Sequence, residues 1–230
     1  MPTGVRDDRH LLPVIGVHRA FGPKPAERPV KETQVFRTIA CLMALIAAEP
    51  AAAASDPAAV VGDFNHALIA AMQSAKGTPL AARTAKLLPL VKATHDMAGM
   101  TRLITGPAWT TTSAADRTAL TEAFTRHSAL TYAVNFPSFN GEKFTVDPKV
   151  ALRGADALVK GAIVASDGTT ALNYRLHETD GGWRIIDVFA DGVSQIAVQR
   201  AEFAATIKTG GAAALAAKLT TADEAKIRRF

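Results

Sequence analysis

Gly182-Trp183-Arg184-Ile185-Ile186-Asp187-Val188-Phe189-Ala190-Asp191-Gly192-Val193-Ser194 carries a strand, a tight corner and the approach to a helix in one short stretch. Just upstream, Leu172-Asn173-Tyr174-Arg175-Leu176-His177 alternates apolar and polar residues, the period of a half-buried strand. Asp180-Gly181-Gly182 lies between the two runs and reads as a hairpin turn, so the strands pair antiparallel. Downstream, the pattern from Val193 to Lys208 predicts an amphipathic helix, ended by Gly210-Gly211. A last helix is expected to begin at the Thr221-x-x-Glu224 box.

Working outward, Phe144-Thr145-Val146 follows Asn140-Gly141, and Leu158 to Ala165 reads as one apolar strand ended by Ser166-Asp167-Gly168. Before the sheet every signal is helical. Asp56 is an N-cap with Pro57 behind it, and Val60, Val61, Phe64, Leu68 and Ala71-Met72 recur at helical spacing. Pro79 and Pro89 bracket a short helix over Leu80 to Leu88, and another is expected from Leu90 to Thr105, stopped by Gly106-Pro107. Ser113 and Asp116 open a long helix whose stripe is Leu120, Phe124, His127, Leu130 and Val134. Helices, then an antiparallel sheet, then helices define an α+β domain without internal repeats.

The first residues belong to a different regime. Thr38 to Ala48 is a short uncharged apolar run after Arg37, followed by Ala51-Ala52-Ala53-Ala54-Ser55. This order is that of a secretory signal peptide over 35–54, cleaved near Ala54. The run falls short of the ~20 residues that span a bilayer. Residues 1–34 are rich in Pro, Gly and charge, and read either as an over-extended start or as an unstructured leader extension. Cys41, the single cysteine, leaves with the leader, so the exported chain offers no disulfide, thiolate ligand or cysteine nucleophile. The exported part, 55–230, is long enough for one domain.

From Ser55 onward the chain has 19 Lys+Arg against 16 Asp+Glu, a net charge of +3, with signs interspersed. A nucleic-acid binder needs a concentrated basic face, which this pattern does not supply. His66, His95, His127 and His177 have no zinc-helix spacing. His127 lies on an apolar stripe, as a satisfied core histidine does, and the His95-Asp96 pair lacks further ligands to make a metal dyad. Ser194 is not in a nucleophile elbow and reads as a helix cap. Asp187 and Asp191 read as strand-end acceptor and corner residue, and no phosphate-cradling glycine loop occurs. Catalytic residues, metal and cofactor are therefore all expected to be absent.

The closing segment, together with Gly106-Pro107-Ala108-Trp109, Ser113-Ala114-Ala115-Asp116-Arg117, Thr131-Tyr132-Ala133 and Phe139-Asn140-Gly141-Glu142-Lys143-Phe144, resembles the MlaC (toluene-tolerance) family of periplasmic lipid carriers. The resemblance runs from about Pro57 to Leu219. Gly141-Glu142-Lys143-Phe144 and Val198-Gln199-Arg200-Ala201-Glu202-Phe203 look closest to its hopanoid-associated HpnM branch. It implies a helical half packed on a curved antiparallel sheet of the NTF2/cystatin-like kind, with C-terminal helices. The implied function is a periplasmic shuttle of phospholipid or hopanoid between an inner-membrane lipid transporter and an outer-membrane lipoprotein.

Strand alternation combined with that resemblance selects Val134, Phe144, Val146, Ile163, Leu172, Tyr174, Ile186 and Val188 as lipid-contacting candidates. A one-residue register error would turn any of these to the opposite face. Two other classes stay open on sequence grounds, an NTF2-like small-molecule enzyme using His95-Asp96 and a periplasmic adaptor that binds protein.

Overall fold

The computed structural model describes residues 56–229. The extension over 1–34, the signal peptide over 35–54, its cleavage point and Cys41 lie outside the described residues.

Helix α1 (Pro57–Gln73) begins where Asp56 accepts a hydrogen bond from the Ala58 amide at 3.0 Å, and it buries Val61, Phe64, Leu68 and Met72 along one face. Helix α2 (Leu80–Thr94) corrects the sequence reading, because it runs straight through Pro89. A proline in a helix interior costs about 3 kcal/mol. Leu87 and Val91 are buried on either side of it, and burying each returns about 1.5–3 kcal/mol. The chain breaks instead at His95-Asp96, where the Asp96 amide donates to the Ile185 carbonyl at 2.9 Å and ties the helix end to the sheet. The expected helix over Leu90 to Thr105 is thus split, and α3 (Met97–Thr105) starts afresh with Asp96 accepting from the Gly99 amide at 2.8 Å.

After a 3-10 turn (Gly106–Thr111), Ser113 caps α4 (Ala114–Asn135) by accepting from the Asp116 amide at 3.1 Å. Helix α4 packs between α2 and the C-terminal helix, burying Ala123, Ala129 and Ala133 as well as Leu120, Phe124 and Leu130. With two flanks covered, the expected single stripe does not hold. Val134 and His127 are only half-buried.

The strands are β1 (Lys143–Val146), β2 (Ala151–Arg153), β3 (Asp156–Val159), β4 (Gly161–Ala165), β5 (Gly168–Thr179), β6 (Gly182–Ala190) and β7 (Val193–Ser194). Each pairs antiparallel with its neighbours, around a long central β5. The single strand expected over Leu158 to Ala165 is two strands laid end to end along β5. They part at Lys160, whose carbonyl accepts from the Asp147 amide at 2.8 Å. Gly161 follows the break, and any side chain there would run into the Thr145 carbonyl of β1. A second irregularity lies between β5 and β6, where Arg175 faces Asp187 but Leu176 faces Ile185, leaving Ile186 as the extra residue. Extra residues of this kind bend and twist a sheet. Strand β2 had no readable signal, since all three of its residues are exposed and no alternation arises.

The helix expected to start at Val193 starts two residues later. Asp191 (φ 48°) and Gly192 (φ 83°) make a tight turn that pairs Val193-Ser194 back onto β6. Helix α5 (Gln195–Arg229) is divided at Gly211, whose φ of 67° falls in the glycine-favouring region. The Thr221-x-x-Glu224 box starts nothing; Ala212, Leu215 and Leu219 bury a face up to it, and the helix runs on with Ile227 partly buried against the core. Among the described residues no helix is long and apolar enough to cross a membrane.

Candidate functional site: an apolar cavity between helices and sheet

A cavity of about 270 Å³ lies where α1, α4 and the start of α5 face the sheet. Phe64 and Leu68 enter it from α1, Met100 from α3, and Ser128, Thr131 and Tyr132 from α4. The sheet contributes Phe144 from β1, Ile163 from β4, Leu172 and Tyr174 from β5, and Val188 and Ala190 from β6. Asn135, Gln195 and Gln199 supply uncharged polar groups, and no lysine or arginine lines the space. Its one carboxylate, Asp187, is already committed. It accepts from the Ser194 hydroxyl at 2.6 Å and the Ile196 amide at 3.1 Å, while the Ser194 oxygen accepts from the Ala197 amide at 3.0 Å. Both residues thus fasten the β6–α5 corner, in the structural roles read from sequence.

Five of the eight sequence candidates, Phe144, Ile163, Leu172, Tyr174 and Val188, lie around this cavity. Three do not. Ile186 is the extra residue at the register shift and is buried in the core. Val146 packs against the core beside β4 without reaching the cavity. Val134 turns toward α5 and a small pocket shared with His127 and Asp223.

Sequence reasoning weighed His95 with Asp96 as a metal dyad or as the pair of a small-molecule enzyme, and did not place it against Tyr132 in the cavity wall. His95 is buried, with Phe64 and Tyr132 edge-on to its ring at 5.1 and 5.7 Å. Its Nδ1 lies 2.9 Å from the Thr94 hydroxyl and its Nε2 3.0 Å from the Tyr132 hydroxyl. Burial lowers its pKa to about 4, against a smaller opposing effect of its hydrogen bond to the Val91 carbonyl, so it is neutral at pH 7. Asp96 meanwhile spends its carboxylate on the α3 cap. One signal was available: the chain has only two tyrosines, Tyr132 and Tyr174, and both line the cavity. Burial raises the pKa of each, keeping both protonated.

His95 also borders a wider, more open depression of about 710 Å³, whose rim carries Lys92, Glu122, Arg126 and Arg184. The two spaces differ in kind, one mainly apolar and lined by no lysine or arginine, the other open and ionic.

The sequence pattern of the MlaC protein family matches residues 63–221. The chain belongs to that family. A comparison with curated proteins finds no match. Among solved structures, the chain is similar to a phospholipid-binding protein from Ralstonia solanacearum, determined in complex with a phospholipid, with a TM-score of 0.66 and 20% identity over 76% of this chain and 99% of that one. At that identity the likeness establishes the shared fold, in agreement with the helix-flanked antiparallel sheet expected from sequence.

Proposed function

We propose that this chain is a lipid-binding carrier that holds the apolar part of a lipid in the cavity between α1, α4 and the sheet. The observation that carries the reading is the cavity's wall: Leu68, Phe144, Ile163, Leu172 and Val188 form an apolar lining without a cationic side chain. Such a lining favours hydrocarbon over charged metabolites, because burying an unpaired charge costs far more than apolar contact returns. A cavity of about 270 Å³ offers room for a stretch of acyl chain and not for a whole lipid. The headgroup then stays at the surface beside Asn135, Gln195 and Gln199. Phospholipid is the first ligand to test, given the fold shared with a phospholipid complex. The resemblance to the HpnM branch adds hopanoid. Periplasmic transfer between an inner-membrane transporter and an outer-membrane lipoprotein follows from the family.

The reading is of a binding protein. His95 is committed to Thr94 and Tyr132, and Asp96 to a helix cap, so the pair does not form an acid–base dyad. Native mass spectrometry of the protein exported by its own host tests this. A co-purified lipid mass is expected, lost in Leu172→Arg. A lipid-free protein that turns over an ester or phosphate substrate would establish the enzyme reading instead.

A further inference from the structure

A second hollow, of about 260 Å³, lies where the end of α1, the first turns of α2 and the end of α4 come together. Leu68, Met72, Leu87 and Phe136 give it an apolar floor. Leu68 and Phe136 also line the larger cavity, so the two spaces share a wall. On its far side Phe136 stacks on Tyr132 at 6.3 Å and tilts against Phe144 at 6.0 Å, both members of the larger cavity.

The charge of this hollow has one sign. Arg83 and Lys86 line it, three residues apart on α2 and hence on one helix face, and no carboxylate does so among the described residues. The Arg83 Nη1 donates to the Ala133 carbonyl at 2.8 Å and the Pro137 carbonyl at 3.4 Å, which holds the guanidinium against the end of α4. Its Nε is buried without a hydrogen-bond partner. The Lys86 ammonium donates to the Ser74 hydroxyl oxygen, whose own proton goes back to the Ala70 and Ala71 carbonyls. Every acceptor the two cations use is neutral, and the ion pairs among the described residues involve neither of them. Two like charges on one helix face repel, and a shared anion removes that cost. The depression beside His95 differs, because Glu122 and Asp96 stand among its cations.

We propose that Arg83 and Lys86 receive the anionic headgroup of a lipid whose chain passes Leu68 and Phe136 into the larger cavity. The carrier then selects lipids of net negative headgroup charge over zwitterionic ones. A guanidinium and an ammonium together suit a phosphate ester. A zwitterionic headgroup brings a second, positive group to a site that has no carboxylate to meet it. Asn135, at the surface beside the headgroup, directly precedes Phe136 of the shared wall. The proposal rests on the lipid-binding reading and narrows its ligand.

The test lets the full exported chain take up lipid from vesicles of equal parts dioleoylphosphatidylglycerol and dioleoylphosphatidylcholine. The protein is then separated and its bound lipids are quantified by mass spectrometry. Both lipids carry the same chains and are met on the same vesicle surface, so their ratio reports the headgroup alone. Wild type should hold the glycerol lipid in about fivefold excess, the yield of partly exposed charge contacts. Lys86 is exposed, and Lys86→Gln should cut the excess to about half that value without unfolding the protein. Arg83→Gln should bring the ratio close to one, and Arg83→Lys should restore part of it. Lys92→Gln removes the same charge from the other depression and should leave the ratio as in wild type. A wild-type ratio near one would overturn the proposal. So would an equal fall in Lys92→Gln and Lys86→Gln, which would assign the preference to net charge. A ratio near one together with thermal stabilisation by inorganic phosphate, lost in Lys86→Gln, would make the hollow a free-anion site and overturn the headgroup assignment. Uptake of neither lipid would overturn the carrier reading itself.

Discussion

Two histidines of this molecule sit among aromatic rings and yet answer to opposite rules. His95, at the α2–α3 break, has Phe64 and Tyr132 as ring neighbours and the Thr94 and Tyr132 hydroxyls within hydrogen-bond distance of its ring nitrogens. His127, on α4, has Phe124 and Phe203 as ring neighbours, and its Nδ1 meets the Asp223 carboxylate at 2.8 Å. The first adjoins the apolar cavity and is kept uncharged. The second fastens the far half of α5 to α4 through its contact with a carboxylate. Charge is thus used where helices must be held together and withheld where an apolar guest is to be housed.

The largest effect that would break this contrast is removal of the aromatic shared by the cavity and the core. Phe64 is 1% exposed and stands edge-on to both His95 and Tyr132. Phe64→Ala should lower stability by about 3–5 kcal/mol, measured as a shift in the urea midpoint. Part of that loss should come back on adding an apolar ligand that fills the space. Full stability in the variant would mean that the His95 surroundings are looser than the geometry implies.

Next comes a pH experiment that sharpens the same contrast. The folded pKa of His95, about 4, lies below its unfolded value of 6.5. In acid the unfolded chain therefore takes up a proton that the folded chain refuses. The stabilising contribution is complete above pH 6.5 and is lost as pH falls from 6.5 to 4, by about 3 kcal/mol in total. His95→Gln keeps a hydrogen-bonding side chain but cannot titrate. Urea unfolding at pH 7 and pH 4.5 should show a clearly smaller pH loss in the variant than in wild type. Equal losses would mean that carboxylates alone govern the acid limb.

What could be read from sequence follows from which physical signals are local. The Asp56 and Ser113 caps, the hairpin at Asp180-Gly181-Gly182 and the alternation of Leu172, Tyr174 and Leu176 each depend on a few neighbouring residues, and the structure reproduces them. Pro89 misled because its local penalty was outweighed by burial of Leu87 and Val91 against elements far along the chain. The Thr221 box misled because the helix that buries Leu215 and Leu219 before it continues past it, with Ile227 partly buried on the far side. Cavity membership was harder. Phe144, Ile163, Leu172, Tyr174 and Val188 share faces set by simple alternation, whereas Ile186 falls at a register shift that no local pattern announces. His95 and Tyr132 meet only because the chain breaks at His95-Asp96 and α4 then returns past it, which is a tertiary fact.

A moderate effect should mark the kink in α5. At Gly211, φ is 67°, a conformation costly for a residue with a Cβ, although no atom stands in the way of one. Gly211→Ala should therefore cost about 1–3 kcal/mol through backbone strain alone. A thermal melt that is unchanged would show the two halves of α5 straightening without penalty.

The smallest expected effect concerns the ionic half of the comparison. The side chains of His127 and Asp223 are 25% and 13% exposed, so the pair is neither fully screened nor sealed. Pairs of this exposure contribute at most about 1 kcal/mol, and less as salt rises. Asp223→Asn retains a hydrogen-bonding side chain and removes the charge. The variant should be less stable than wild type at low salt. In high salt the gap should close. His95→Gln provides the control: its effect stems from desolvation and should hardly respond to salt. If the Asp223→Asn gap persists at high salt, the His127 contact works through hydrogen bonding and packing alone. The division of labour between a charged clasp and an uncharged cavity would then lose its electrostatic basis.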